Sequence, residues 1–304
     1  MEVIAPEAAA RRIAGIARST RLVPHRPGLS FKLETDQPIR SFKIRGAANA
    51  MALATDAALA HGVWTASAGN MAQGVCWCAR ERGIPATIVV PDHAPATKTD
   101  AITRLGGTFL KVPFDMWWRT LQHRAFPGVG GLFVHPFADQ AVMEGNATIA
   151  LELLAEASDI ETVLVPWGGG GLACGIALAL RTLKPNAKVI AVEVETAAPL
   201  TASLAAGAPA TVAYERTIID GMGSSALAPE MWPLAHALIH STIVVSVAEV
   251  GAAVKLLHEQ HDVVAEGAGA APVAAALKTT LPGHTIALIS GGNIDPAVHA
   301  ALIA

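Results

Sequence analysis

Short apolar runs alternate along most of the chain with segments whose apolar residues recur every three or four positions. The runs, rich in Val, Ile, Leu and Ala, predict strands at residues 29–34, 63–66, 86–90, 108–112, 132–134, 162–166, 188–192, 243–247 and 285–289. The intervening spacing predicts helices, among them 6–18, 71–82 and 142–156; Pro6 and Glu7 suit the start of the first. A strand-helix alternation of this kind predicts an α/β fold built on largely parallel sheet. Residues 62–131 form a compact run of three strand-helix pairs ending in the loop Phe126-Pro127-Gly128-Val129-Gly130-Gly131. We therefore expect a small domain at 62–131 inserted into a larger one made of 1–61 and 132–304.

Composition sharpens this picture. Of the 304 residues 52% are hydrophobic and only 15% charged, with a mean hydropathy of +0.42. The uncharged run 162–180 is long enough for a membrane span of about 18 residues, but Pro166 and four glycines would unwind a lipid-exposed helix. The run 231–248 is broken by Pro233, His236, His240 and two serines. Buried parallel strands covered on both faces account for the hydrophobicity instead, and no membrane partner is expected. With 22 basic and 25 acidic residues, a net charge of −3 and no basic block, nucleic acid is not an expected partner. Cys76, Cys78 and Cys174 make neither a disulfide framework nor a zinc pattern; Cys76 and Cys78 point roughly 200° apart on a helix and read as apolar packing. Glu2 and Glu7 interrupt any apolar leader, so the cytoplasm is the expected compartment.

The strand at 162–166 leads into W-G-G-G-G-L-A and then a helix, so that glycine N–H groups and a helix N-terminus converge on an anion. On this motif alone three readings stay open. Gly168, Gly170 and Ala173 satisfy G-x-G-x-x-A, and Glu193 ends the next strand 25 residues after Gly168, as in an NAD site. A different phosphate-bearing cofactor and a plain tight turn are the others. Separately, Lys43 in S-F-K-I-R-G-A stands in apolar surroundings that favour a neutral amine or an imine. Residues 67–74 read S-A-G-N-M-A-Q-G and open a helix suited to hold a carboxylate; residues 290–293 read S-G-G-N after the last strand.

With Lys43, the Asn70 loop, the glycine run and Ser290 in this order, the sequence resembles the pyridoxal-phosphate enzymes of the threonine dehydratase and serine racemase family, the fold-type II, tryptophan synthase β-like group. The similarity extends over STRLV (19–23), PDHAPATKTDAI (91–102), HPF (135–137), IIDGMG (218–223) and VAEGAGAA (264–271). It implies two domains, each with a mostly parallel sheet flanked by helices, and pyridoxal 5'-phosphate as cofactor. An NAD-dependent dehydrogenase becomes the remote alternative.

The resemblance also implies roles. Lys43 would carry the cofactor on its amine and move the α-proton, and Phe42 would pack beside the ring. Asn70 would meet the phenolic oxygen, Gly168, Gly169, Gly170, Gly171 and Leu172 the phosphate, and Ser290 the pyridine nitrogen. The substrate carboxylate would lie on Ser67, Ala68, Gly69, Asn70 and Met71, with Ser67 counted among the catalytic residues. The implied reaction is dehydration and deamination of a 3-hydroxyamino acid of the L-threonine or L-serine type to a 2-oxo acid and ammonia. A racemase or a β-replacement enzyme of the same fold is the alternative.

Ala68 stands where serine racemase has the serine that protonates the opposite face, which favours dehydration. Met71 replaces a histidine of many relatives, and residues 144–148 (E-G-N-A-T) replace a G-Q-G-T neighbourhood. Glu193 and Ala197 match two ligands of the serine racemase metal site, but Pro199 replaces the third, so no metal is expected. Trp117 and Trp118 are unusual; one lining the cleft with Met71 would suit a bulkier substrate such as a phenylserine. Only 11 residues follow Asn293, which leaves no C-terminal regulatory domain in this sequence, and relatives suggest a homo-oligomer.

Overall fold

The computed structural model describes residues 4–219 and 221–304. Among the described residues ten strands form two sheets: β1 (Leu22–Arg26), β2 (Leu29–Leu33), β3 (Val63–Ala66), β4 (Ala86–Pro91), β5 (Thr108–Val112), β6 (Leu132–Phe133), β7 (Ile160–Pro166), β8 (Lys188–Val194), β9 (Ser241–Val245) and β10 (His284–Ile289). The larger sheet has the order β1-β2-β10-β7-β8-β9, parallel except for the β1–β2 hairpin, and the smaller, all parallel, has the order β5-β4-β3-β6. Alternate residues of the central strands feed opposite cores. Val163 and Val165 face one cluster while Leu164 faces another, and in the small sheet Val63 and Ile88 oppose Trp64 and Val89. Both sheets are thus covered on both faces, which is where the 52% of hydrophobic residues go. Among the described residues no helix is long and apolar enough to cross a membrane.

Several boundaries differ from the sequence expectation for local reasons. Strand β1 escapes the apolar-run pattern because Pro24 sits inside it; an edge strand tolerates proline, and Gly28 at φ +76° closes the hairpin. The first helix is Pro6–Ile13 and stops short of residue 18, with Gly15 at φ +84° just past its end. Strand β9 ends at Val245 because Ser246 caps the helix Val247–His261 in a reciprocal box with Glu249, at 3.1 and 2.7 Å. Strand β6 lies just past residue 131 and adds the fourth strand of the small sheet beside β3.

The helix Lys43–Leu53 is locked to the large sheet by buried charge. Arg45, 1% exposed, donates from Nε and Nη2 to Glu34, both at 2.8 Å, and from Nη1 and Nη2 to Glu152 at 2.6 and 3.0 Å. Its remaining contacts are Thr148 Oγ1 and the Arg18 carbonyl. Lys32, fully buried in β2, adds Glu152 at 2.9 Å, Glu156 at 3.0 Å and the Thr20 carbonyl at 2.6 Å. Burial pushes the Glu152 carboxyl up, but Arg45 and Lys32 outweigh it and hold the group below the usual carboxylate range. That stabilisation is present above the ordinary glutamate pKa of about 4.3 and is lost as pH falls through the depressed one. Removing one partner of such a set leaves an uncompensated buried charge. Arg45→Met is expected to lower unfolding stability by about 3–5 kcal/mol in urea titrations at neutral pH.

Candidate active site

The residues singled out in the sequence converge where the strand ends of the two sheets face each other. Phe42 N donates to the Ser290 carbonyl at 3.1 Å, and Ser41 pairs with Gly291, so the start of the Lys43 helix is stitched to the end of β10. Phe42 packs into the core cluster that holds Trp167 and Leu172, and the Lys43 amine lies 5.0 Å from its ring centroid. That amine donates to the Pro136 carbonyl. Burial pushes its pKa down to about 8, and the Glu266 carboxylate acts in the opposite direction.

The Pro136 turn is shaped by His135. Its Nδ1 accepts the N–H groups of Phe137 and Ala138 at 3.2 and 2.8 Å, and burial, with Arg124 and Lys43 nearby, pushes the imidazole down to about 3. A neutral ring leaves the adjacent amine as the nearby group able to carry a proton near neutral pH.

After β7 the chain makes a tight cradle. Gly170 adopts φ +88°, and a Cβ there would stand 2.5 Å from the buried Trp167 ring. A Cβ on Gly169 would overlap the Phe137 ring at 2.1 Å, and one on Gly171 would meet the Phe137 carbonyl at 2.5 Å. The helix Gly171–Leu183 then begins without a side-chain cap, so its first N–H groups and its positive dipole end face the cradle. Leu172 contributes backbone here, since its side chain is in the core. Gly168 approaches the Gly221 carbonyl; Asp220 of the same I-I-D-G-M-G segment lies outside the described residues.

Across the cleft the loop after β3 is half-buried from Ser67 to Asn70. Ser67 Oγ accepts the Gly69 N–H at 3.2 Å, the helix Asn70–Arg82 starts without a side-chain cap, and nothing lies within 4 Å of a Cβ built on Gly69. Open space in front of free helix N–H groups suits a carboxylate. The Asn70 side chain donates to Glu266 Oε1 and accepts from Asn293 Nδ2, both at 2.7 Å. Ser290, 3% exposed, directly follows β10 and precedes Gly291.

Two expectations change. Met71 is 1% exposed and its side chain packs with Ile44, Val75 and Ile88, so it offers a backbone N–H to the site, not an apolar wall. Trp117 packs on the cluster of Trp64, Val89, Val112 and Leu121, while Trp118 is 40% exposed; the argument for a bulky aromatic substrate loses its Met71 wall. Glu193 is buried, and its oxygens accept Leu200 N, Thr201 N and Thr201 Oγ at 2.8, 2.7 and 2.6 Å. It caps the helix Pro199–Ala206, whose first residue, Pro199, has no N–H to offer. Among the described residues no group of three or more His, Cys, Asp or Glu is placed to hold a metal ion.

Sequence reasoning missed His135, Glu266 and Asn293 as site residues. Each lay within a motif noted for resemblance, but only their placement at one corner reveals what they touch.

The family model described as "Pyridoxal-phosphate dependent enzyme" matches residues 14–292. The chain belongs to this family. It is 40% identical over 270 residues to the L-threonine ammonia-lyase of Geobacter sulfurreducens, covering 87% of this chain and 67% of that protein. It is 37% identical over 279 residues to a serine racemase of Oryza sativa subsp. indica, covering 89% and 82%. The solved structure of maize serine racemase superposes with a TM-score of 0.87 at 31% identity, covering 97% of this chain and 94% of that one. The two-sheet α/β architecture is that of the fold-type II group, and pyridoxal phosphate is its cofactor. The glycine cradle, packed so closely on Phe137 and Trp167 that Gly169, Gly170 and Gly171 leave no room for a Cβ, leads into an uncapped helix start, and this backbone fits the phosphate of that group.

Two outcomes check this geometry. Gly169→Ala is expected to weaken pyridoxal-phosphate binding to the cofactor-free protein about tenfold, measured by tryptophan fluorescence, because the added methyl would overlap the Phe137 ring and push the glycine backbone out of place. Lys43→Met removes a buried amine whose protonation opposes folding below its lowered pKa. It should raise the melting temperature of the cofactor-free protein at pH 7, and the gain should vanish as pH nears the ordinary lysine value of about 10.4.

Proposed function

We propose that this protein removes water and ammonia from a 3-hydroxyamino acid of the L-threonine or L-serine class, releasing a 2-oxo acid. The observation that carries this reading is the Lys43 amine, with a pKa near 8, at a corner shared by Asn70, Ser290 and the glycine cradle. Pyridoxal phosphate, when bound, supplies the electron sink that makes the substrate α-proton removable.

The chain's own residues do the rest. The amine of Lys43 would hold the cofactor, the N–H groups of Gly168 to Gly171 and Leu172 its phosphate, the Asn70 amide its phenolic oxygen and the Ser290 hydroxyl its ring nitrogen. Ser67, Gly69 and the first N–H groups of the Asn70 helix bind the substrate carboxylate and orient the α-carbon. Lys43 Nζ, in its neutral form, would take the α-proton, and a proton returned to the β-hydroxyl would let it leave as water; hydrolysis of the resulting enamine would give the 2-oxo acid and ammonium. Ser290 would offer the ring nitrogen a hydroxyl, which does not hold a proton there as a carboxylate would. The small domain, 62–131, supplies the carboxylate loop and Asn70, and 1–61 with 132–304 supplies the other cofactor residues.

Relatives include serine racemases, so racemisation is the second reading, and Ala68 weighs against it. A methyl group carries no proton to the opposite face of the α-carbon. We also read the Glu193 cap as replacing a metal ion, and the chain as a cytoplasmic homo-oligomer in keeping with its resemblance.

Keto-acid and ammonia release should be found with L-threonine or L-serine, and chiral analysis should show D-serine forming at least tenfold more slowly than pyruvate. Fast D-serine formation overturns the assignment. Dialysis against EDTA should leave the rate within twofold of the untreated enzyme; a large loss restored by Mg²⁺ or Ca²⁺ contradicts the reading of Glu193.

A further inference from the structure

Glu266 occupies the N-cap position of the helix Gly267–Lys278 but does not cap it. Its carboxylate, on a residue 8% exposed, reaches across the cleft to Asn70 Nδ2 at 2.7 Å, while its backbone N–H is held by the Gly291 carbonyl at 3.1 Å. A Cβ at Gly291 would come within 2.7 Å of Glu266 Oε1 and 3.2 Å of Asn70 Nδ2, so glycine at the end of β10 admits the carboxylate. From the other side Asn293 Nδ2 donates to Asn70 Oδ1 at 2.7 Å and to the Ile39 carbonyl at 2.9 Å. An amide has two N–H hydrogens and one oxygen. With Oδ1 engaged by Asn293 and one hydrogen engaged by Glu266, the Asn70 amide is fixed against flipping and keeps a second hydrogen for a ligand.

We propose that Glu266 is a positioning residue for the pyridoxal-phosphate reaction. Together with Asn293 it fixes the Asn70 amide so that the remaining Nδ2 hydrogen meets the cofactor's phenolic oxygen, and it ties the Asn70 helix of the small sheet to the strand ends of the large one. This rests on the role proposed above for Asn70. A carboxylate acceptor makes the bond charge-assisted, stronger than a neutral pair and dependent on exclusion of water. The same negative charge acts on Lys43, favouring its protonated amine.

Two variants separate geometry from charge. Glu266→Ala removes both, and should weaken pyridoxal-phosphate binding to the cofactor-free protein about tenfold, in line with the loss of one hydrogen bond to a charged group. Glu266→Gln keeps an acceptor oxygen for Asn70 but no charge. Its rate of forming the visible band with added pyridoxal phosphate should show a pH midpoint below the wild-type value, because the amine loses its proton more easily. A purely structural role would lower the melting temperature without moving that midpoint. Unchanged affinity in Glu266→Ala, or an unmoved midpoint in Glu266→Gln, overturns the proposal. If Glu266→Ala does not fold, Asn293→Ala replaces it, with the same loss of affinity expected and unchanged affinity counting against. Neither readout uses an amino-acid substrate. A wild-type protein that binds pyridoxal phosphate but makes no 2-oxo acid would therefore overturn the proposed function and leave this inference standing.

Discussion

The position of the Lys43 amine depends on a guanidinium two residues away. Arg45 is buried beside Lys43, and a buried charge is tolerated only when every hydrogen-bonding group around it is matched. Here the matches come from three separate parts of the chain: Glu34 just after β2, Glu152 on the helix Gln140–Glu156, and the Arg18 carbonyl. Sliding the Lys43 helix by one residue would break all of them. Close backbone contact reinforces the register. A Cβ on Gly145 would lie 2.4 Å from the Arg45 carbonyl and one on Gly46 2.7 Å from Val142 Cγ1, so these two helices meet only because glycine is at both positions. The amine is thereby aimed at the Pro136 turn by forces that have nothing to do with its own chemistry.

Electrostatics at the site follow from which groups are allowed to stay charged. Burial makes His135 neutral and lowers the Lys43 amine to about 8, while Glu266 keeps part of the amine's affinity for a proton. The two features proposed to bind anions, the glycine cradle and the loop before the Asn70 helix, offer backbone N–H groups and helix ends instead of lysine or arginine side chains. On the proposed reading, that choice lets a chain with 15% charged residues receive both a phosphate and a carboxylate. The same logic runs through Glu193, whose carboxylate satisfies a helix start from within the chain.

Much of the fold was legible because it is written in local signals. Parallel strands buried on both faces appear as apolar runs, although the run 243–247 carried the expected strand across Ser246, which caps the next helix. The cradle was legible as a glycine run but not as to ligand, since a dinucleotide turn and a pyridoxal-phosphate loop use the same free N–H groups. Only the company of Lys43, Asn70 and Ser290 separated them. What was not legible is non-local. Lys32 looks like the exposed position of an edge strand, yet β1 covers it and Glu152 and Glu156 neutralise it. Met71 sits next to Asn70 in sequence, but one residue on a helix turns its side chain about 100° toward the core. Glu266 was one carboxylate in a run of alanine and glycine, and its partner is 196 residues away.

The central claim is that Lys43 is the residue that holds the cofactor, and borohydride reduction of the purified holoenzyme followed by peptide mass mapping tests it most directly. Reduction fixes the cofactor to whichever amine carries it. The account predicts loss of the visible band and a pyridoxyl-phosphate mass on the peptide containing Lys43 alone, absent in Lys43→Ala. The label on another lysine, or a protein with no reducible band after exposure to pyridoxal phosphate, would contradict it.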